Sequence, residues 1–68
     1  MAENVYKKIE LTGASNKSIE DAIDTAIKKA SATVRNMRWF EVTEIRGTIT
    51  GEKPSQWQVS LKVGFTVE

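Results

Sequence analysis

Between Gln56 and Val67, polar and apolar residues alternate without a slip. Trp57, Val59, Leu61, Val63, Phe65 and Val67 hold one parity, and Gln56, Gln58, Ser60, Lys62, Gly64 and Thr66 hold the other. Successive side chains of a strand point to opposite faces, so this stretch is a strand with one apolar and one polar face. The apolar face needs a cover, and only 68 residues are available to make it. A domain of this size buries only about 60% of the surface its unfolded form exposes. Disulfides, a metal or oligomerisation commonly make up the deficit. The chain has neither cysteine nor histidine, which removes disulfides and the ordinary transition-metal ligands. Self-association is the remaining reinforcement.

The cover is legible in "SNKSIEDAIDTAIKKASATVRN". Ile19, Ala22, Ile23, Ala26, Ile27, Ala30 and Val34 follow the i, i+3, i+4, i+7 spacing of one helix face. Ser18, three residues before Asp21, resembles a capping box, and Ser15 is an equally good cap. Lys28, Lys29 and Arg35 fall in the later turns, where the helix dipole favours cations. Glu20, Asp24 and Lys28 lie along the solvated side, and small alanines on the apolar side let the helix approach a sheet closely.

Two further extended segments flank this helix. In "NVYKKIELTG", Val5, Ile9 and Leu11 oppose Tyr6, Lys8, Glu10 and Thr12; Lys7 breaks the apolar parity and Gly13 ends the run. From Arg38 to about Thr50, Phe40 and Val42 share one parity while Trp39, Ile45 and Ile49 share the other. That segment therefore carries a bulge near Thr43 and Glu44 or is buried on both faces. "TGEKPSQ", with Gly51 and Pro54, supplies a turn or short loop. The order is β-α-β-β, an α+β fold read as a single domain over residues 1–68. The crossover makes the first two strands parallel and the hairpin sets the third antiparallel to both. The last strand, longest and most apolar, belongs in the middle of a three-stranded sheet of order 1-3-2, with one helix packed on one face. The opposite face has no helix. With Phe40 and Val42 turned toward the helix, Trp39 and Gln58 share the uncovered face.

The formal charge is +1, with acids and bases interspersed, unlike the clustered basic face of a nucleic-acid binder. No apolar run approaches the roughly 18 residues of a membrane span, and no signal-peptide pattern stands at the start. The absence of cysteine agrees with a cytoplasmic location. Without His or Cys, catalysis would fall to Ser, Thr, Lys, Tyr and carboxylates. Glu41 and Glu44 are read as solvated or ion-paired strand residues, and Gly47 and Gly51 are too isolated for a phosphate loop. No enzyme is expected. The chemistry that stands out is recognition. Trp39 offers an indole face and Gln58 a donor and an acceptor in one planar group, a pairing suited to a planar heteroaromatic ligand. Arg46 offers a fork of donors for a phosphate or carboxylate, and Trp57 belongs to the apolar stripe.

"MRWFEVTEIRG" followed by "WQVSLKVGF", in that order and spacing, resembles the dodecins, small flavin-binding proteins, and the likeness runs through essentially the whole chain. It implies a β-α-β-β subunit whose helix is partly wrapped by its sheet, assembled into a hollow homododecamer. It also implies flavins stacked in pairs between subunits, with a tryptophan outside each pair. Carried onto this sequence, Trp39 is that tryptophan and Gln58 reads the isoalloxazine edge. Arg46 lies near the ligand, and Glu44 matches a position that contacts the ribityl chain. The implied function is flavin storage and sequestration, with the tryptophan quenching the excited flavin. FMN is the first expectation for the ligand and riboflavin the alternative. Some members bind coenzyme A through an arginine in "GFR"; this chain has "GFT", with Thr66, which weakens that expectation. A structural oligomer in which Trp39 is interface packing, with no flavin bound, is the competing reading.

Overall fold

The computed structural model describes residues 4–67. Strand β1 spans Val5–Ser15, helix α1 Ile19–Ala30, β2 Met37–Thr50 and β3 Lys53–Val67. The sheet order is β1-β3-β2, and both neighbouring pairs are antiparallel, as the alternation of β3 and the hairpin rule required. No described helix is long and apolar enough to cross a membrane.

Both candidate caps act together at the start of α1. The Ser18 hydroxyl accepts the Asp21 backbone N–H at 3.0 Å. The Ser15 hydroxyl accepts the Lys17 N–H at 2.9 Å and donates to the Asp21 carboxylate at 2.7 Å. The helix is shorter than its apolar spacing suggested. It stops at Ala30, so Val34 and Arg35 lie beyond it. Ser31 closes it by donating its hydroxyl to the Lys28 carbonyl at 2.7 Å.

Gly13 does not end β1, which continues to Ser15. Its role is close approach: a Cβ there would collide with the Ala22 carbonyl oxygen and press on the Ala26 Cβ. The loop between β2 and β3 is also shorter than expected. Gly51 and Glu52 both have positive φ, 60° and 66°, as a two-residue type I′ hairpin turn requires, and β3 begins at Lys53. Pro54 therefore lies inside the strand, opposite Ile49 at a register shift. The missing N–H is tolerated there because β1 ends opposite Trp57 and leaves Pro54 with β2 as its only neighbour.

Residues directly opposite in antiparallel strands share a face. Ile9, Leu11, Phe40, Val42 and Ile45 stand opposite Val63, Leu61, Val63, Leu61 and Val59 in turn. The expected bulge is present between Val42 and Glu44. It carries Ile45 onto the face of Val42, away from Trp39, with which simple parity had grouped it. The core consists of Ala22, Ala26, Val59, Leu61 and Val63, with Ile9, Leu11, Ile19, Ile23, Ile27 and Met37 packed around it.

The helix lies over β1 and β3 and leaves β2 largely uncovered. Its 12 residues reach about 18 Å, while the 15 residues of β3 extend roughly 50 Å. Phe40 is consequently on the helix side of the sheet but outside the core, with 45% of its surface exposed, and Val42 and Ile45 are 41% and 52% exposed. The expectation that Phe40 packs under the helix is corrected: the Gly13 contact draws α1 toward β1.

Candidate functional site

The face without a helix carries the even-numbered residues of β3, from Gln56 to Thr66, flanked by β1 and β2. Trp39 stands opposite Gly64. A Cβ on Gly64 would collide with Cε2, Cζ2 and Cη2 of the indole at nearly equal distances, so the ring lies with its face on the strand. Tyr6, from β1, leans in from the other side of β3. Its ring centroid is 4.9 Å from that of Trp39, with the planes inclined at 69°, an edge-to-face pairing favoured by the ring quadrupoles. Neither Tyr6 nor Gly64 was among the candidate residues. The available signal was a glycine in an otherwise unbroken alternation, which marks a close approach.

Gln58, Arg46 and Glu44 form one hydrogen-bonded group. Arg46 Nε donates to Gln58 Oε1 at 2.7 Å, and Arg46 Nη1 donates to Glu44 Oε1 at 2.9 Å. Gln58 Nε2 donates to Gln56 Oε1 at 3.0 Å. The amide of Gln58 is thereby oriented, carbonyl toward Arg46 and NH2 toward Gln56, and one N–H remains for a ligand acceptor. Arg46 is already neutralised by Glu44.

All four expected residues are on one face, but one chain does not bring them together. Gln58 is six residues from Gly64 along β3, roughly 20 Å at strand spacing, and Trp39 sits over Gly64. A ring stacked on the indole would have to cross that distance to meet the Gln58 amide of the same chain.

Polar pairs fill the face between these ends. Lys8 and Glu41 form an ion pair at 2.6 Å. Thr12 and Ser60 hydroxyls meet at 3.0 Å, and Thr43 donates to the Ser60 carbonyl at 3.1 Å. The Lys8 hydrogen bond, reinforced by its charge, holds the Glu41 carboxyl below its ordinary value. A depressed folded-state value means that the pair's contribution is present at neutral pH and is lost as the pH falls through the Glu41 range. Glu41 and Glu44 are thus ion-paired separately, to Lys8 and to Arg46, as the ion-paired reading of these strand carboxylates expected. Trp57 stands opposite Gly47 and Ser15 on the helix side, in its expected structural place.

The chain matches the dodecin family model over residues 5–68. It belongs to the dodecin family. A curated dodecin from Thermus thermophilus is 50% identical over 64 residues, covering 94% of this chain and 93% of that protein. The dodecin structure from Streptomyces coelicolor superposes with a TM-score of 0.94 at 40% identity, covering 100% of this chain and 97% of that one. A calcium dodecin from Mycobacterium tuberculosis, described with a calcium-binding site of its own, is more distant. It shows 28% identity and a TM-score of 0.82 over 94% of this chain and 91% of that one. Among the described residues here, no group of carboxylates is placed to hold a metal ion. Dodecins are small binding and storage proteins rather than an enzyme family.

Proposed function

We propose that this dodecin binds flavin, FMN in the first place and riboflavin as the alternative, and stores and sequesters it in a homo-oligomeric cytoplasmic shell. The observation that carries the reading is the seating of Trp39. One indole face rests on Gly64 and the ring remains 39% exposed, on a sheet face with no helix over it. Such a ring is a platform for a planar heteroaromatic system. An isoalloxazine stacked there gains about 0.5–1.5 kcal/mol beyond its buried area. The Gln58 amide, oriented by Arg46 and Gln56, donates to a carbonyl on the ring edge, worth about 0.5–1.5 kcal/mol net. Because Trp39 and Gln58 of one chain are far apart, these contacts come from different subunits. Assembly is therefore a condition of binding.

The half-exposed apolar residues Phe40, Val42 and Ile45 give assembly its driving force, since burying the exposed half of each contributes roughly 0.7–1.5 kcal/mol, half the value for a whole side chain. Bound flavin supplies a ring system whose excited state accepts an electron, and a tryptophan in stacking contact quenches it. The chain's own part is to stack, orient and shield. Protein purified without added ligand is expected to be yellow, with flavin absorption near its usual bands and little flavin emission. Acid extraction followed by mass determination should then return FMN. A colourless preparation that stays colourless after incubation with FMN and riboflavin would favour the purely structural oligomer.

A further inference from the structure

Adjacent residues of a regular strand point to opposite faces, yet Arg38 and Trp39 serve the same one. The register of β2 against β3 slips between Met37 and Trp39, leaving Arg38 without a partner in the ladder. Slips of this kind re-aim a side chain. Arg38 Nε donates to the Thr66 hydroxyl at 3.1 Å, and Thr66 stands on the outer face opposite Tyr6, two residues from the Gly64 that carries the indole. At the edge of β2, Arg38 also borders a depression lined by Met37, Trp39, Phe40, Val63 and, from the helix, Ile27, which opens on the helix side of the sheet.

The two arginines of this face differ in state. Arg46 is engaged by Gln58 and by the Glu44 carboxylate. Arg38 has no carboxylate partner among the described residues, and its Nη1 and Nη2 have no hydrogen-bond partner there. A guanidinium tethered through Nε, with its two terminal nitrogens open, matches two oxygens of a phosphate.

We infer that Arg38, held by Thr66, is the phosphate-binding residue beside Trp39 and makes this site prefer a phosphorylated ligand over its dephosphorylated form. Resting on the flavin reading, this means that Arg38 discriminates FMN from riboflavin. The phosphate monoester carries most of two negative charges at neutral pH, and the guanidinium offers a bidentate, charge-assisted pair to it. Riboflavin presents a hydroxyl there and gains little.

The test compares FMN and riboflavin titrations of the assembled protein. Arg38→Ala should weaken FMN by about 10- to 100-fold, the range of a lost charged hydrogen-bond pair, and change riboflavin by less than about 3-fold. Arg38→Lys, which keeps the charge but loses the fork, should fall between. Thr66→Val, which removes the tether alone, should also cost FMN more than riboflavin. Added salt should weaken FMN in the parent and less in Arg38→Ala. Equal losses of both flavins in Arg38→Ala would assign Arg38 to the shape of the Trp39 site and overturn the inference, as would no loss of either. A separate arm needs no flavin: inorganic phosphate added to the parent should shift the Arg38 Nε–H resonance, and Thr66→Val should blunt the shift. Failure of both flavins to bind with that shift intact would remove the flavin reading and leave the anion subsite standing. An unmoved resonance at tens of millimolar phosphate would overturn the subsite.

Discussion

Val42→Asp is expected to convert the assembled protein into monomers, read by light scattering of the eluting species. Val42 lies on the helix side of β2 opposite Leu61 and is 41% exposed, between the exposed Phe40 and Ile45. The helix that would have covered them lies over β1 and β3 instead. In an oligomer this stripe is the natural contact, and a carboxylate placed in its centre must be desolvated. That cost is several kcal/mol per ion, added to the roughly 0.6–1.2 kcal/mol that burying the still exposed part of the valine would have contributed, and it recurs in every subunit. A chain without disulfide or metal has little margin to absorb it. Lowering the pH until the aspartate is neutral should restore part of the assembly, which separates the charge effect from misfolding. An unchanged oligomer at neutral pH would show that β2 is not the contact.

Trp39→Ala should reduce flavin affinity by about 10- to 100-fold, in line with the roughly 1–3 kcal/mol that stacking a heteroaromatic base on a side chain contributes. It should also restore emission to whatever flavin remains bound, because the electron donor has gone. Trp39→Phe retains a platform with a smaller face and a poorer donor, so affinity should fall less than quenching. The fold should tolerate both changes. Trp39 is outside the core, lies over Gly64 and meets Tyr6 edge to face. Dissociation of the oligomer in Trp39→Ala, with flavin affinity per intact site unchanged, would identify Trp39 as interface packing.

The parts of this fold that could be read from the residues are those where one periodicity dominates. Six apolar residues alternating through β3 left one arrangement for the sheet, and the isoleucine and alanine spacing of α1 left one face to cover it. Where two patterns competed, the outcome depended on packing between distant segments. Parity grouped Ile45 with Trp39 because the extra residue at Thr43 is invisible until β2 is paired with β3. Val34 continues the helical spacing, but Ser31 and the return to the sheet stop α1 four residues earlier. Gly13 read as a terminator when its actual work is to admit the backbone of Ala22, a contact between segments nine residues apart in sequence.

The site divides along the same line. That Trp39, Gln58, Arg46 and Glu44 share a face follows from alternation once the bulge is allowed. That Trp39 and Gln58 are separated by most of a strand depends on register, which no local pattern records. The same register places Gly64 beneath the indole, brings Tyr6 to its edge and swings Arg38 toward Thr66. Each of these is a pairing across strands.

The expectation that subunits of this dodecin together hold a flavin against Trp39 can be decided in solution. Its most direct test is a titration of ligand-free assembled protein into micromolar FMN while flavin emission is followed. Emission should fall nearly to zero at a fixed stoichiometric ratio and recover when the oligomer is dissociated. Emission that stays at its starting level through a large excess of protein would contradict that expectation.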